Sequence, residues 1–180
     1  TANNFQAVAG PNDGTTWSSS LTSSTGSFYA GDPATEAFDG SLSTFAGSSS
    51  GSGDTLTFTV PSSLRASSSQ WRLYVKTSAD IGVDGSTVRA GSSSGVTNAW
   101  CDLGSIQPNT ITITSTITTA NLWAIEVDGT ILVDGQNDAA GIDLLADSPS
   151  TYNDGGNGVG NYCTLNPLDT TLGTAINNGN

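Results

Sequence analysis

The sequence predicts an all-β fold: a jelly-roll-like antiparallel β-sandwich over residues 1–135, followed by an extended C-terminal arm over residues 136–180. Three observations support this prediction. Apolar and polar residues alternate in several segments with the two-residue period of half-buried strands. Asp-Gly dipeptides, which are typical of tight hairpin turns, occur beside such segments. No apolar stripe with the 3.6-residue period of a helix runs for a useful length, so we expect no long helices.

The first clear strand is the segment DTLTFTV, from Asp54 to Val60. Its alternation places Leu56, Phe58 and Val60 on one face and threonines on the other. Pro61 then ends the strand, because proline cannot donate a backbone hydrogen bond to a neighbouring strand. We expect the apolar face to lie in the core.

The segment WRLYVKT repeats the pattern. Trp71, Leu73 and Val75 fall on one face, and the intervening polar and aromatic residues fall on the other. A further short apolar segment is followed by Asp84-Gly85, a turn dipeptide that indicates a hairpin.

The run TITITSTIT at residues 110–118 predicts another strand. Ile111 and Ile113 alternate with threonines, and the wider spacing to Ile117 suggests a β-bulge within the strand.

The segment AIEVDGTILV gives the clearest hairpin signal. Two apolar runs flank Asp128-Gly129, a dipeptide that tolerates the positive φ angles of a type I′ turn. The alternation predicts that Trp123, Ile125 and Val127 share one face, and we expect both Trp123 and Trp71 to be buried.

From Gln136 onward, Gly and Asn are too dense and apolar alternation too weak to predict strands. We therefore place a domain boundary near residue 135. The arm that follows cannot bury a core alone, so we expect it to order against neighbouring chains, in a homotrimer or another homo-oligomer.

The chain carries sixteen acidic and four basic side chains, a formal net charge of -12. Such a surface repels phosphate backbones, so nucleic acid is not an expected partner. No apolar run is long enough to span a membrane. The chain has no histidine, which removes the usual general base, and we expect no enzymatic activity.

Cys101 and Cys163 are the two cysteines. They can form a disulfide only if the fold brings their Cα atoms within about 7 Å. We expect free, partly buried thiols, and pairing stays open.

The stretch PATEAFDGSLSTF at 33–45, followed by LTFTV and closing with LWAIEVDG, resembles discoidin-like modules, also called factor 5/8 C-terminal-like, of the galactose-binding-like superfamily. Phe45 stands near the position where those modules usually have a tryptophan. The segments ILVDG and DSPSTYNDGGNGVGNYCTLNPL look similar to marine phage proteins, particularly cyanophage tail-fibre and other virion proteins. This resemblance implies a non-catalytic virion module for host-surface attachment or fibre assembly, located in the virion, with other virion proteins and a host glycan as partners. The alternative is a carbohydrate-binding module of a secreted marine bacterial protein.

The same resemblance implies a structural Ca²⁺ site. Its ligands would be the Asp39 carboxylate, the Thr44 hydroxyl, Glu126 and carbonyl oxygens near Phe38 and Ser41. Calcium takes six to eight oxygen ligands, which such a loop and a distant carboxylate can supply. The alternative is that Asp39 belongs to an ordinary turn and Glu126 is a solvated strand residue.

Trp17 and Tyr29 are our candidates for stacking on a glycan, because aromatic rings offer a broad apolar surface. Trp17 lies in a polar run, and Trp100 is likewise less constrained by strand alternation. Glu126 and Asp128 share a strand face about 7 Å apart and could form a glycosidase pair. Acidic residues beside a hairpin turn are usually solvated, so we expect no catalytic role.

Overall fold

The computed structural model describes residues 10–49, 51–65, 67–92 and 97–138. Within these ranges the chain forms ten strands and three short 3₁₀ helices. The strands are β1 (Leu21–Ser23), β2 (Ala46–Gly47), β3 (Thr55–Thr59), β4 (Ser69–Lys76), β5 (Ala79–Val83), β6 (Ser86–Arg89), β7 (Asn98–Ile106), β8 (Thr110–Ser115), β9 (Asn121–Val127) and β10 (Thr130–Ile131). The 3₁₀ helices span Trp17–Ser20, Ala34–Phe38 and Ser62–Arg65. The predicted all-β class is confirmed.

The strands form two antiparallel sheets with jelly-roll topology. The first sheet has the order β1-β3-β8-β5-β6, and the second has the order β10-β9-β4-β7, with β2 also pairing with β9. Three antiparallel pairs are nested around the β5–β6 hairpin: β4 with β7, β3 with β8, and β2 with β9 enclose it in turn. Successive pairs alternate between the sheets. This is a long hairpin rolled up on itself, as in a jelly roll.

The core lies between the inner faces of the two sheets. The first sheet contributes Leu56, Phe58, Ile81, Ile111 and Ile113, and the second contributes Trp71, Leu73, Val75, Leu122, Ile125 and Val127. Burying each such side chain stabilises the fold by about 1.5–3 kcal/mol. Strand alternation therefore predicted the inner faces of β3, β4 and β8 correctly.

Both predicted Asp-Gly turns have type I′ geometry. Asp84 and Gly85 have φ angles of 49° and 82°, and Asp128 and Gly129 have 50° and 82°. The Asp84 carboxylate accepts backbone N–H bonds from Asn109 (2.9 Å) and Thr110 (2.8 Å). These hydrogen bonds, that from Thr110 foremost, lower the pKa of Asp84.

Asn12 joins the two ends of the described domain. Its buried side chain donates to the Ile131 carbonyl (2.9 Å) and accepts from the Val133 N–H (2.8 Å) and the Trp17 indole N–H (3.0 Å). The amide thus satisfies groups from segments more than a hundred residues apart in sequence, which fixes the position of the first 3₁₀ helix.

Three features differ from the sequence prediction or lie beyond it. The predicted bulge before Ile117 is wrong, because β8 ends at Ser115 and the Ile117 side chain is 43% exposed in the following turn. Strand β7 was not predicted, since its sequence NAWCDLGSI does not alternate regularly. In the described part of the chain, no helix is long and apolar enough to cross a membrane.

Residues 139–180 of the predicted arm lie outside the described residues, as does Cys163. The compact unit that contains the described residues ends at Asp138. The boundary at residue 135 stays a prediction. Cys101 is a buried free cysteine on β7.

Candidate functional site

A β-bulge places Trp123 on the outer face of the second sheet. In the β4–β9 ladder Tyr74 pairs with Ala124, but Val75 pairs with Leu122, so Trp123 has no partner in the register. Leu122 takes the core position instead. The prediction that Trp123 is buried is confirmed, at 6% exposure, but the prediction that it shares a face with Ile125 is wrong. The extra residue of a bulge reverses the alternation locally.

Trp123 belongs to a row of four aromatic side chains outside the core, which we call the aromatic row: Phe45, Trp123, Tyr74 and Trp100. The ring centroids of Phe45 and Trp123 are 4.8 Å apart, those of Trp123 and Tyr74 6.0 Å, and those of Tyr74 and Trp100 5.2 Å. All three pairs are tilted or edge-to-face, which are favourable arrangements for aromatic rings. Phe45, Tyr74 and Trp100 are partly exposed. The row crosses the sheet from the start of β2 to β7.

Strand pairing explains how residues distant in sequence form this row. Tyr74 and Trp100 are direct partners across β4 and β7. Phe45 immediately precedes β2, whose pairing with β9 brings it to Trp123. Gly47 contributes by lacking a side chain, because a Cβ there would lie 3.3 Å from the Phe45 ring and would crowd it.

An ion pair borders one side of the aromatic row. The Arg72 guanidinium donates to both Glu126 oxygens, at 2.7 and 2.5 Å, and lies 4.8 Å from the centroid of the Trp100 ring. Asp102 is the register partner of Arg72 on β7. The hydrogen bonds that Arg72 donates to Glu126 raise the pKa of Arg72. The guanidinium is therefore held in place by a bidentate contact and a cation–π contact.

Lys76 borders the other side of the row. It lies two residues from Tyr74 on the same face of β4, about 7 Å along the strand. Its ammonium has long contacts with the hydroxyls of Thr118 (3.4 Å) and Thr119 (3.3 Å). Among the residues that the structure describes, no carboxylate lies within ion-pair distance of it. Burial lowers the pKa of Lys76.

The two predicted glycan contacts have different outcomes. Trp17 is 0% exposed, and its indole N–H is hydrogen-bonded to Asn12, so the prediction that its ring stacks on a sugar is wrong. The polar sequence around it concealed a core residue on a 3₁₀ helix. Tyr29 is 56% exposed, and its role stays a prediction.

Several of the predicted calcium ligands have hydrogen-bond partners within the protein. Asp39 accepts hydrogen bonds from the Ser41 N–H (2.7 Å) and the Thr44 hydroxyl (2.6 Å), as in an ordinary turn. The Phe38 carbonyl accepts the N–H of Asp134. Both Glu126 oxygens accept hydrogen bonds from Arg72.

Within the described ranges, no group of three or more His, Cys, Asp or Glu side chains could hold a metal ion. Calcium binding at Asp39, Thr44 and Glu126 stays a prediction, and thermal melting with and without a chelator tests it.

The acidic residues near the β9–β10 turn also have partners. Glu126 binds Arg72, and Asp128 accepts the Gln70 N–H at 2.7 Å. Both carboxylates thus have structural roles, which differs from the expectation that they are merely solvated.

Sequence reasoning missed most of the aromatic row. The alternation of WRLYVKT did place Tyr74 opposite the core residues of β4, which was a usable signal. Trp100 had no such signal because β7 was not recognised. Nothing local to Phe45 or Trp123 indicated that the two rings meet.

Comparisons with known proteins identify no family for this chain. No protein-family model matches the chain, and no curated protein matches it. The chain is similar to a solved structure described as the CBM32 of AlyQ in complex with 4,5-unsaturated mannuronic acid. The sequence identity is 23%, the TM-score is 0.42, and the alignment covers 59% of this chain and 92% of that one. A similarity this weak carries no evidence about the ligand of this chain.

Proposed function

We propose that this domain is a carbohydrate-binding module whose aromatic row contacts the sugar. The observation that carries the proposal is the row itself, four aromatic rings on an outer sheet face with three of them partly exposed. A core that already contains Trp71, Phe38 and Phe58 does not need them. Aromatic rings provide a rigid apolar surface for the C–H face of a sugar ring.

The borders of the row suit the hydroxyl groups of a saccharide. Arg72 and Lys76 are donors, and Glu126 and Asp102 supply carboxylate acceptors. Ligand sites typically combine an apolar surface with a few fixed polar groups of this kind. The Arg72–Glu126 pair is already ordered, so binding loses little side-chain entropy there.

The proposal assigns no catalytic step to the domain. The sequence-based prediction of a phage tail fibre, with assembly into a trimer and a place in the virion, concerns the setting of the domain and stays a prediction. A sugar-binding face serves host attachment in that setting and substrate attachment in a secreted bacterial protein equally well.

A glycan array followed by titration calorimetry tests the proposal. The unmodified domain should bind at least one glycan class, and Trp100→Ala should weaken that binding on the order of tenfold or more. Tyr29→Ala is the matched control, because it removes an exposed aromatic ring outside the row.

Thermal melting should show that both variants remain folded. If no glycan binds, the proposal is wrong. If Tyr29→Ala abolishes binding while Trp100→Ala does not, the sugar site lies elsewhere.

A further inference from the structure

The charges that border the aromatic row are distributed unequally. On the side of Arg72, one cation faces two carboxylates, Glu126 as its hydrogen-bonded partner and Asp102 as its register partner. On the side of Lys76, the groups that the cation faces within the described residues are neutral: its register partner Asn98 and two threonine hydroxyls. The row thus has an acidic side and a basic side.

The ammonium of Lys76 is poorly satisfied. It can donate three hydrogen bonds, and its two contacts, at 3.3 and 3.4 Å, are longer than usual for a charged donor. Desolvation lowers its pKa, and no carboxylate in the described part of the chain forms an ion pair with it to offset the effect. An anion placed beside it would supply the missing partner, and hydrogen bonds to charged groups contribute more than neutral ones.

Distance along the strand connects this cation to the proposed sugar surface. Lys76 and Tyr74 are two residues apart on one face of β4, a separation of about 7 Å. A substituent on a sugar that stacks on Tyr74 and Trp100 would therefore reach the ammonium. The hydroxyls on the opposite edge of the sugar would donate to Glu126 and Asp102.

We infer that the aromatic row is selective for acidic saccharides, with the carboxylate or sulfate of the sugar bound at Lys76. This inference rests on the proposed function and specifies its ligand class. It runs against the overall charge of the chain, which is -12 and repels anions at long range. At about 0.15 M salt the screening length is about 8 Å, so distant charges are screened and the local contact with Lys76 determines the preference for an anionic sugar.

Calorimetric titrations with matched sugars test the inference. Oligomers of mannuronate, guluronate, galacturonate and glucuronate are each compared with the same oligomer after carboxyl reduction, and a sulfated galactan is compared with its desulfated form. We expect at least one acidic oligomer to bind on the order of tenfold more tightly than its neutral counterpart. The carboxylate and sulfate arms identify which anion is preferred.

Two variants separate the parts of the proposal. Lys76→Gln should abolish the preference for the acidic sugar, because the affinity for the acidic sugar should fall on the order of tenfold and the affinity for the neutral one by clearly less. Arg65→Gln removes an equal charge near Asn109, away from the row, and should preserve the preference. Tyr74→Ala should weaken both sugars together, and melting curves check that each variant is folded.

The outcomes distinguish the two levels of the proposal. If neutral oligomers bind as well as acidic ones, or if Lys76→Gln keeps the preference, the inferred selectivity is wrong while the carbohydrate-binding proposal stands. If no saccharide binds the unmodified domain, both are wrong.

Discussion

The two outer faces of the sandwich enclose the same core but have different chemistry. On the first sheet, threonines occupy the outward positions of β3 and β8, and Thr57 pairs with Thr112 while Thr55 pairs with Thr114. The hydroxyls of Thr55 and Thr114 are hydrogen-bonded to each other at 2.8 Å. On the second sheet, the aromatic row occupies the corresponding outward face.

The difference separates what the fold requires from what it permits. A β-sandwich needs apolar inner faces and only a pleat-compatible outer surface, which threonine provides. Large aromatic rings outside the core are not needed for that purpose. A single contiguous aromatic surface on one face only is typical of a binding surface.

The largest expected effect concerns the core that both faces share. Phe58→Ala removes a fully buried ring whose centroid lies 5.7 Å from that of the Phe38 ring. It should lower the free energy of unfolding by about 3–5 kcal/mol. Urea denaturation measures this loss. Trp100→Ala, on the outer face, should cost clearly less. Equal losses would show that the aromatic row is part of the structural core and would contradict its assignment as a binding surface.

The ion pair beside the aromatic row should give the next largest effect. Glu126→Gln leaves the Arg72 guanidinium without its carboxylate, so the melting temperature should fall and sugar binding should weaken as Arg72 moves from Trp100. Glu36→Gln is the charge-matched control on the 3₁₀ helix Ala34–Phe38. High salt should reduce the difference between the two variants, because part of it is electrostatic.

The hairpin at the edge of the first sheet should respond to acid. The pKa of Asp84 is lower in the folded chain than its ordinary value of 3.8, so this carboxylate stabilises the fold above the unfolded pKa. The contribution disappears as the pH falls through the lower, folded pKa. When the pH is lowered from about 5 to about 2, the melting temperature of Asp84→Asn should therefore fall by less than that of the unmodified domain. Parallel melting curves would contradict this assignment.

The smallest effect should come from the threonine face. Thr57→Val preserves shape and β-branching at a partly exposed position, so the free energy of unfolding should change by about 0.5 kcal/mol or less. Sugar affinity should stay unchanged in calorimetry. A loss of sugar binding would place the binding surface on the first sheet instead of the second.

Much of the fold could be predicted because its signals are local. Alternation placed Leu56, Phe58 and Leu73 in the core, and the Asp-Gly dipeptides located both type I′ turns. The candidate site could not be predicted in the same way. Trp17 illustrates the difference, since its polar neighbours suggested exposure while Asn12, through long-range contacts, holds it in the core.

The sequence by itself determined the all-β class, the faces of the regular strands, the two tight turns and the absence of histidine. Only the tertiary structure decided that a bulge turns Trp123 outward, that β7 brings Trp100 beside Tyr74, and that Lys76 borders the row with no carboxylate partner among the described residues. The physical reason is that alternation is a property of one strand. Register and bulges depend on pairing between strands that are far apart in sequence.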